Sequence, residues 1–276
     1  MINQRVTRRT YEEQADLPET LYKYRDWNAP HHNTILTRRE VYFAAPDTFE
    51  DKMDCKNPIR YDLLSTKEKR QFVSHRIYSE GLSRQARRAK AKELARNSNL
   101  NDKASIEKHN EETFIEYCKR AGVLSLTANP LSIELWERYS HNHEGFCVGF
   151  ETKKALEYFG AAGQVIYEET LPIIYPEPKC TRDEQHIKHI FYKEKKWELE
   201  QEFRAHKFRG HPMSVVDRTI KLPPEAFKEI ILGARIKEET KLDLLSSLPE
   251  ELKHLPIKEA IINGNDMVIR PLAINV

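Results

Sequence analysis

The sequence predicts an α+β domain: a split, twisted, mostly antiparallel sheet with helices around it and a helical insertion at 65–121. Three observations lead there. Many short segments alternate apolar and polar residues, or are briefly apolar throughout, and both patterns mark strands. The helical stretches between them are unequal in length, which argues against a regular βαβ array. Residues 65–120 are nearly free of glycine and proline, so they read as helices inserted between strands.

Taken in order, residues 1–20 read as an irregular lead-in. Leu21 to Arg25, LYKYR, alternates and is rich in tyrosine, a strand with Tyr22 and Tyr24 facing one way and Lys23 and Arg25 the other. Asp26 to Pro30 turns the chain, Asn33 to Arg38 is a helical turn or two, and Val41 to Ala44 is a second short strand closed by Pro46. The loop from Asp47 to Asp54 is acidic, with Phe49 and Met53 as apolar anchors. Between Ser65 and Leu100 ten Lys or Arg stand against three Glu, the largest local imbalance of charge in the chain. A further helix is expected from Ala104 to Ala121.

The centre of the domain is Val123 to Phe150. Val123 to Thr127 alternates, with Ser125 and Thr127 on one face and Leu124 and Leu126 on the other. Asn129-Pro130 breaks that strand, and Ser132 caps a helix whose Ile133, Leu135, Trp136 and Tyr139 form an apolar stripe. Gly145 ends the turn, and Phe146 to Phe150 is an apolar run short enough to be a buried strand. After it come a short helix at Lys153–Phe159, a strand at Gln164–Tyr167 and an extended proline-rich loop at Pro172–Pro178. A helix is expected over Asp183–Lys195, then a strand bearing Glu200, Glu202 and Arg204, and another at Thr219–Leu222. Pro223-Pro224 is expected to open a helix through Glu229, before a strand at Ile230–Ile236, a helix at Glu238–Leu252 and a strand pair about Gly264.

Composition excludes several classes. At 276 residues the chain is long enough for one large domain, and its 32% charged and 39% hydrophobic residues lie outside the disordered range. There is no apolar run near the ~20 residues of a spanning helix and no apolar leader in residues 1–20, so a cytoplasmic protein is expected. Cys55, Cys118, Cys147 and Cys180 are widely spaced without a CxxC pair, which fits reduced thiols better than a zinc site. No GxGxxG, P-loop, HExxH or GxSxG occurs.

The order LSLT, Asn129-Pro130, LW, YS and GFCVGF resembles the central block of a bacterial family catalogued as domain of unknown function 2971. The loop Phe49 to Asp54 resembles that family's F-N-D-P-F-D loop, except that Glu50 and Lys52 replace Asn and Pro, leaving Asp51 and Asp54 as its candidate site residues.

The residues with chemistry form a three-part constellation. LYKYR lies on an early strand, Ser125 and Thr127 on a central one, and Glu200-x-Glu202 on a late one, where a spacing of two puts both carboxylates on one face. That order is similar to the ADP-ribosyltransferase fold, which cleaves the nicotinamide–ribose bond of NAD. The resemblance implies that Glu202 meets the ribose as it becomes cationic and that Glu200 orients the acceptor. It also implies that Ser125 and Thr127 hold the ribose, Lys23 or Arg25 meets the pyrophosphate, and Tyr22 or Tyr24 stacks on nicotinamide. NAD is then a substrate, no metal is expected, and the protein would be a toxin or phage-defence effector. Each piece alone also has a plainer reading, since Glu-x-Glu often marks a solvated face and Ser-x-Thr occurs in ordinary strands.

Trp136, Tyr139 and Trp197 could flank a nucleotide, although aromatics at helical spacing are usually core. His143, beside His141, suits a pocket wall better than a metal site lacking a third ligand. Arg204 is expected to neutralise a neighbouring carboxylate. The alternative function is a nucleic-acid-binding or nuclease-type effector. It would grip phosphates through Arg84, Arg87, Arg88 and Lys92 and use the Asp51 and Asp54 carboxylates. A third reading is an inert interaction module.

Overall fold

Where two ribbons of the sheet part from each other decides where the site lies. The computed structural model describes residues 17–78, 82–97 and 102–272. The first ribbon is built on β1 (Thr20–Arg25), whose Leu21 joins one core and whose Tyr22 and Tyr24 join the other. After α1 (Thr34–Thr37) and the short β2 (Glu40–Tyr42) comes the insertion, three helices: α2 (Thr66–Tyr78), α3 (Arg84–Asn97) and α4 (Lys103–Arg120). The chain then enters β3 (Ala121–Thr127), α5 (Ile133–Tyr139) and β4 (Phe146–Glu151). Ser132 caps α5 as its position suggested, accepting from the Leu135 amide at 3.3 Å.

The remaining elements are α6 (Thr152–Phe159), β5 (Ala161–Gln164), β6 (Ile166–Glu168), α7 (Arg182–Ile190), β7 (Tyr192–Glu194), β8 (Glu202–Phe208), α8 (Val215–Arg218), β9 (Thr219–Lys221), β10 (Phe227–Leu232), α9 (Glu238–Ser246), β11 (Ile257–Asn263) and β12 (Asp266–Pro271). Eight strands form one open sheet in the order β12-β11-β10-β4-β1-β3-β8-β5, while β2–β9 and β6–β7 pair separately. Among the described residues only β10–β11 is parallel within the large sheet, so the architecture is α+β, mixed and mostly antiparallel.

The large sheet is nearly two. β1 pairs with β4 along its whole length, and β3 with β8 likewise, but β1 and β3 share a single residue pair, Tyr22 with Thr127. Past that pair they diverge. The free edge of β3 is taken by Ala44, which exchanges both backbone hydrogen bonds with Val123 at 2.9 Å, and by Lys23, whose Nζ donates to the Ser125 carbonyl at 2.6 Å.

Period-two alternation sends side chains to two cores. Leu21, Leu124, Leu126, Phe146, Val148, Phe150, Ala205, Ile230 and Leu232 pack on one face with Ala155, Leu156 and Phe159 of α6 and Leu244 of α9. Tyr24, Cys147, Ile231, Ala260 and Met267 pack on the other against Leu135 and Trp136 of α5. β4 is covered on both faces, which explains its unbroken apolar run.

Gly145 and Gly233 secure one end of these strands. A Cβ on Gly145 would stand 2.1 Å from the Arg25 carbonyl oxygen, and one on Gly233 would stand 2.1 Å from that of His143.

Two expected helices give way to strands. The helix foreseen over Asp183–Lys195 stops at Ile190, and Tyr192–Glu194 pairs with β6 instead. Only one 3₁₀ turn, Pro224–Ala226, follows Pro223 before β10 begins at Phe227. The two prolines supply no amide donors, and Phe227, Ile230 and Ile231 are buried by pairing with β4, so sheet packing overrides helix propensity. Among the described residues no helix is long and apolar enough to cross a membrane.

Candidate functional site

Divergence of β1 from β3 opens a cavity of about 1030 Å³, large enough for a dinucleotide-sized ligand. It is lined by Tyr22, Lys23, Tyr24, Arg25, Phe49, Asp51, Asp54, Ser125, Thr127, Tyr139, Trp197, Glu200 and Glu202, whereas Met53, the second apolar anchor of the acidic loop, is exposed outside it. Three other candidates stand elsewhere. Trp136 is wholly buried, donating from Nε1 to the Pro130 carbonyl at 2.9 Å, with Tyr24 edge-on at 5.0 Å. His143 is buried as well and lies parallel to Trp136 at 6.4 Å, because His141, Asn142 and His143 all adopt positive φ and swing its ring into the core. Arg204 is buried beneath the cavity.

Arg204 organises the floor. Its Nε and Nη2 donate to Glu202 at 2.8 and 2.9 Å, and Nη1 and Nη2 donate to Asp54 at 2.9 and 2.5 Å. One guanidinium thus holds two carboxylates in forked pairs, and Nη1 also reaches the Ile190 carbonyl at 2.7 Å. The expected neutralising role of Arg204 is what this geometry performs. It also occupies both Asp54 oxygens.

Sequence reasoning missed Lys193, on β7, and with it Arg38 and Arg138 of the cavity lining. The Lys193 Nζ lies 2.5 Å from Glu200, 3.3 Å from Glu202 and 3.5 Å from Asp54. The mistaken helix hid this lysine; the signal was the Tyr192-Lys193-Glu194 alternation after Phe191. Burial opposes charge on Lys193, but Glu202, Asp54 and Glu200 push its pKa up. Burial opposes charge on Glu202 too, yet Arg204 and Lys193 hold its pKa down to about 2.

Glu200 and Glu202 do not share a strand face. Glu200 ends a 3₁₀ turn, Lys195–Glu200, and Gln201 at φ 42°, ψ 51° reverses the backbone before β8 starts at Glu202. Lys193 rather than strand pleat brings the two carboxylates together. Thr127 secures this turn, donating from Oγ1 to the Glu200 carbonyl at 2.6 Å, so its hydroxyl holds protein rather than standing free for a ribose. The Ser125 side chain also helps to hold the Glu202 pKa down. Glu200 faces the cavity wall, where it accepts from the Tyr139 hydroxyl at 3.0 Å and lies 3.5 Å from Arg138.

Further basic side chains line the cavity. Arg25 donates weakly to the neighbouring Tyr24 carbonyl at 3.4 Å and, among the described residues, makes no ion pair. Burial lowers its pKa to about 10, which still leaves it charged at neutral pH. His32 has a buried Nδ1 without a hydrogen-bond partner among the described residues, and burial with Arg25 and Lys23 holds its pKa at about 4. Arg38 lines the same cavity. Tyr24 is only 4% exposed and bonded to the Asn129 carbonyl, and Tyr22 donates to Glu229 at 3.0 Å; Tyr139, at 40% exposure, presents the more accessible ring.

The basic helices lie away from this cavity. Arg84 and Arg88 are exposed, Arg87 sits 5.0 Å over the Tyr78 ring, and the Lys92 side chain lies outside the described residues.

No curated protein and no solved structure matches the chain. A family model described as Protein of unknown function (DUF2971) matches residues 135–205, from α5 into β8, a stretch containing Tyr139, Lys193, Glu200, Glu202 and Arg204. Residues 135–205 are thus similar to the DUF2971 family, the one that the central block resembles.

Proposed function

We propose that the cavity binds NAD and cleaves its nicotinamide–ribose bond, in the manner of an ADP-ribosyltransferase. The observation that carries this reading is the mixed charge of one cavity. Arg25 and Arg38 line it together with Asp54, Glu200 and Glu202, and Lys193 and Arg204 stand among those carboxylates. A dinucleotide has matching parts: a pyrophosphate for the guanidiniums, and a ribose that becomes cationic as nicotinamide leaves. With Arg138 3.5 Å from Glu200, three carboxylates face three cations, so what meets that developing cation is the local field of the Glu200 and Glu202 oxygens and not a net charge.

The two glutamates then divide the work differently from the sequence-based assignment. Glu202 is ionised throughout the neutral range and locked by Arg204, so it contributes fixed potential rather than proton transfer. Glu200 stands at the wall, steadied by Tyr139 and Lys193, where it orients the attacking acceptor.

The test is release of free nicotinamide from NAD by purified protein. Glu200→Gln should lower the rate by about a hundredfold while the unfolding curve stays near that of the parent protein. Chelator should leave the rate unchanged. Arg25→Gln should raise KM for NAD more than it lowers kcat. Folded protein that releases no nicotinamide, or release indifferent to Glu200→Gln, would overturn the proposal.

A further inference from the structure

We infer that Lys23 is a carbonyl-reactive amine, and that the cavity accepts an aldehyde or ketone carrying an anionic group, with which Lys23 condenses to an imine. This inference stands apart from NAD cleavage. It rests on how differently the two lysines of the cavity are held. Lys193 is ringed by three carboxylates within 3.5 Å. Lys23 has, among the described residues, one hydrogen bond and no ion pair: its Nζ donates to a neutral acceptor, the Ser125 carbonyl, at 2.6 Å. The cavity surrounds it where the sheet parts, and Arg25 follows two residues later on the same face of β1.

An ammonium there loses hydration, gains no counter-ion in contact and is repelled by a guanidinium, the conditions under which a lysine sheds its proton and becomes a nucleophile. Burial first and then Arg25 bring its pKa down to about 7, against the pull of Glu202, Glu200 and Cys147. An ordinary lysine has a pKa of about 10.4, so at pH 7 Lys23 holds a free-amine fraction about a thousandfold larger. A neutral amine still donates one N–H to Ser125 and keeps its lone pair.

The chemistry balances without a further reactant. The nitrogen attacks the carbonyl carbon, a C–N bond forms, and the oxygen is protonated to give a carbinolamine. Loss of that oxygen as water, with both protons drawn from the amine, leaves the imine. Arg25 and Arg38, which line the same cavity, supply the contacts for the anionic group.

Reductive trapping tests this directly. The protein is treated with one equivalent of pyridoxal 5′-phosphate, of glyoxylate or of uncharged pyridoxal, reduced with borohydride and mapped by peptide mass spectrometry. Lys23 should be the first lysine modified, and the adduct should disappear in Lys23→Arg, which keeps a donor for Ser125. Trapping at Lys23 should rise with a midpoint near pH 7, whereas surface lysines continue to gain label well above it. Either anionic aldehyde should label Lys23 about tenfold more than pyridoxal, an advantage that Arg25→Gln should remove. Equal labelling by all three would overturn the anionic requirement. Label spread over surface lysines with Lys23 unmodified would overturn the inference as a whole.

Discussion

Arg204→Met should be the most damaging single substitution in the site, costing about 5 kcal/mol of folding stability. The guanidinium is completely buried, and it satisfies Glu202, Asp54 and the Ile190 carbonyl together. Removing it leaves two buried carboxylates with only Lys193 between them, at 3.3 and 3.5 Å. Breaking a buried ion pair costs about 3–5 kcal/mol because a charge is stranded, and here two charges are stranded at once. Domains have only about 5–15 kcal/mol in hand, so the variant should be recovered largely insoluble or unfold at far lower urea. Arg204→Lys should rescue little, since one ammonium cannot make two forked pairs. Adding Asp54→Asn and Glu202→Gln to Arg204→Met should restore part of the loss, because the stranded charges then vanish. An Arg204→Met urea curve overlapping that of the parent would show that this network does not hold the fold.

The same network shows what could be read from the sequence and what could not. Strands with a clear two-residue period and helices with a cap or a stripe were legible: β1, β3, α5, β4 and the hairpin about Gly264 stand where LYKYR, SLT, Ser132, FCVGF and the last strand pair put them. So did the convergence of early, central and late segments, because a face periodicity carries tyrosines, hydroxyls and carboxylates toward one place. The boundaries that failed were those decided by partners distant in sequence. β7 exists because β6 lies alongside it, and β10 begins at Phe227 because β4 buries it. Local pattern has no access to either. Two site details failed for the same reason. Gln201 in a left-handed conformation removes Glu200 from the strand, and nothing in WELEQEF marks that reversal. Arg204 and Asp54 are 150 positions apart, so their union shows only in the fold.

Acid should dismantle this arrangement through Glu202. Its carboxyl titrates at about 2 in the folded protein against 4.5 as an ordinary glutamate, because the charges of Arg204 and Lys193 outweigh the cost of burying it. A folded pKa below the unfolded one means that the unfolded chain takes up the proton first as pH falls. The stabilisation from this group is therefore complete above about pH 4.5 and disappears as pH drops toward 2. That gap corresponds to about 3 kcal/mol. Urea unfolding of the parent protein and Glu202→Gln, measured at steps from pH 6 to pH 2, isolates the contribution from all other carboxylates. The parent should be the more stable at pH 6, and the two curves should approach each other through the window between 4.5 and 2, since protonated glutamate and glutamine offer Arg204 a similar neutral partner. A difference that stayed constant across that window would mean that Glu202 is not ionised in the fold. Both the electrostatic floor of the cavity and the potential assigned to it at the nicotinamide ribose would fail with it.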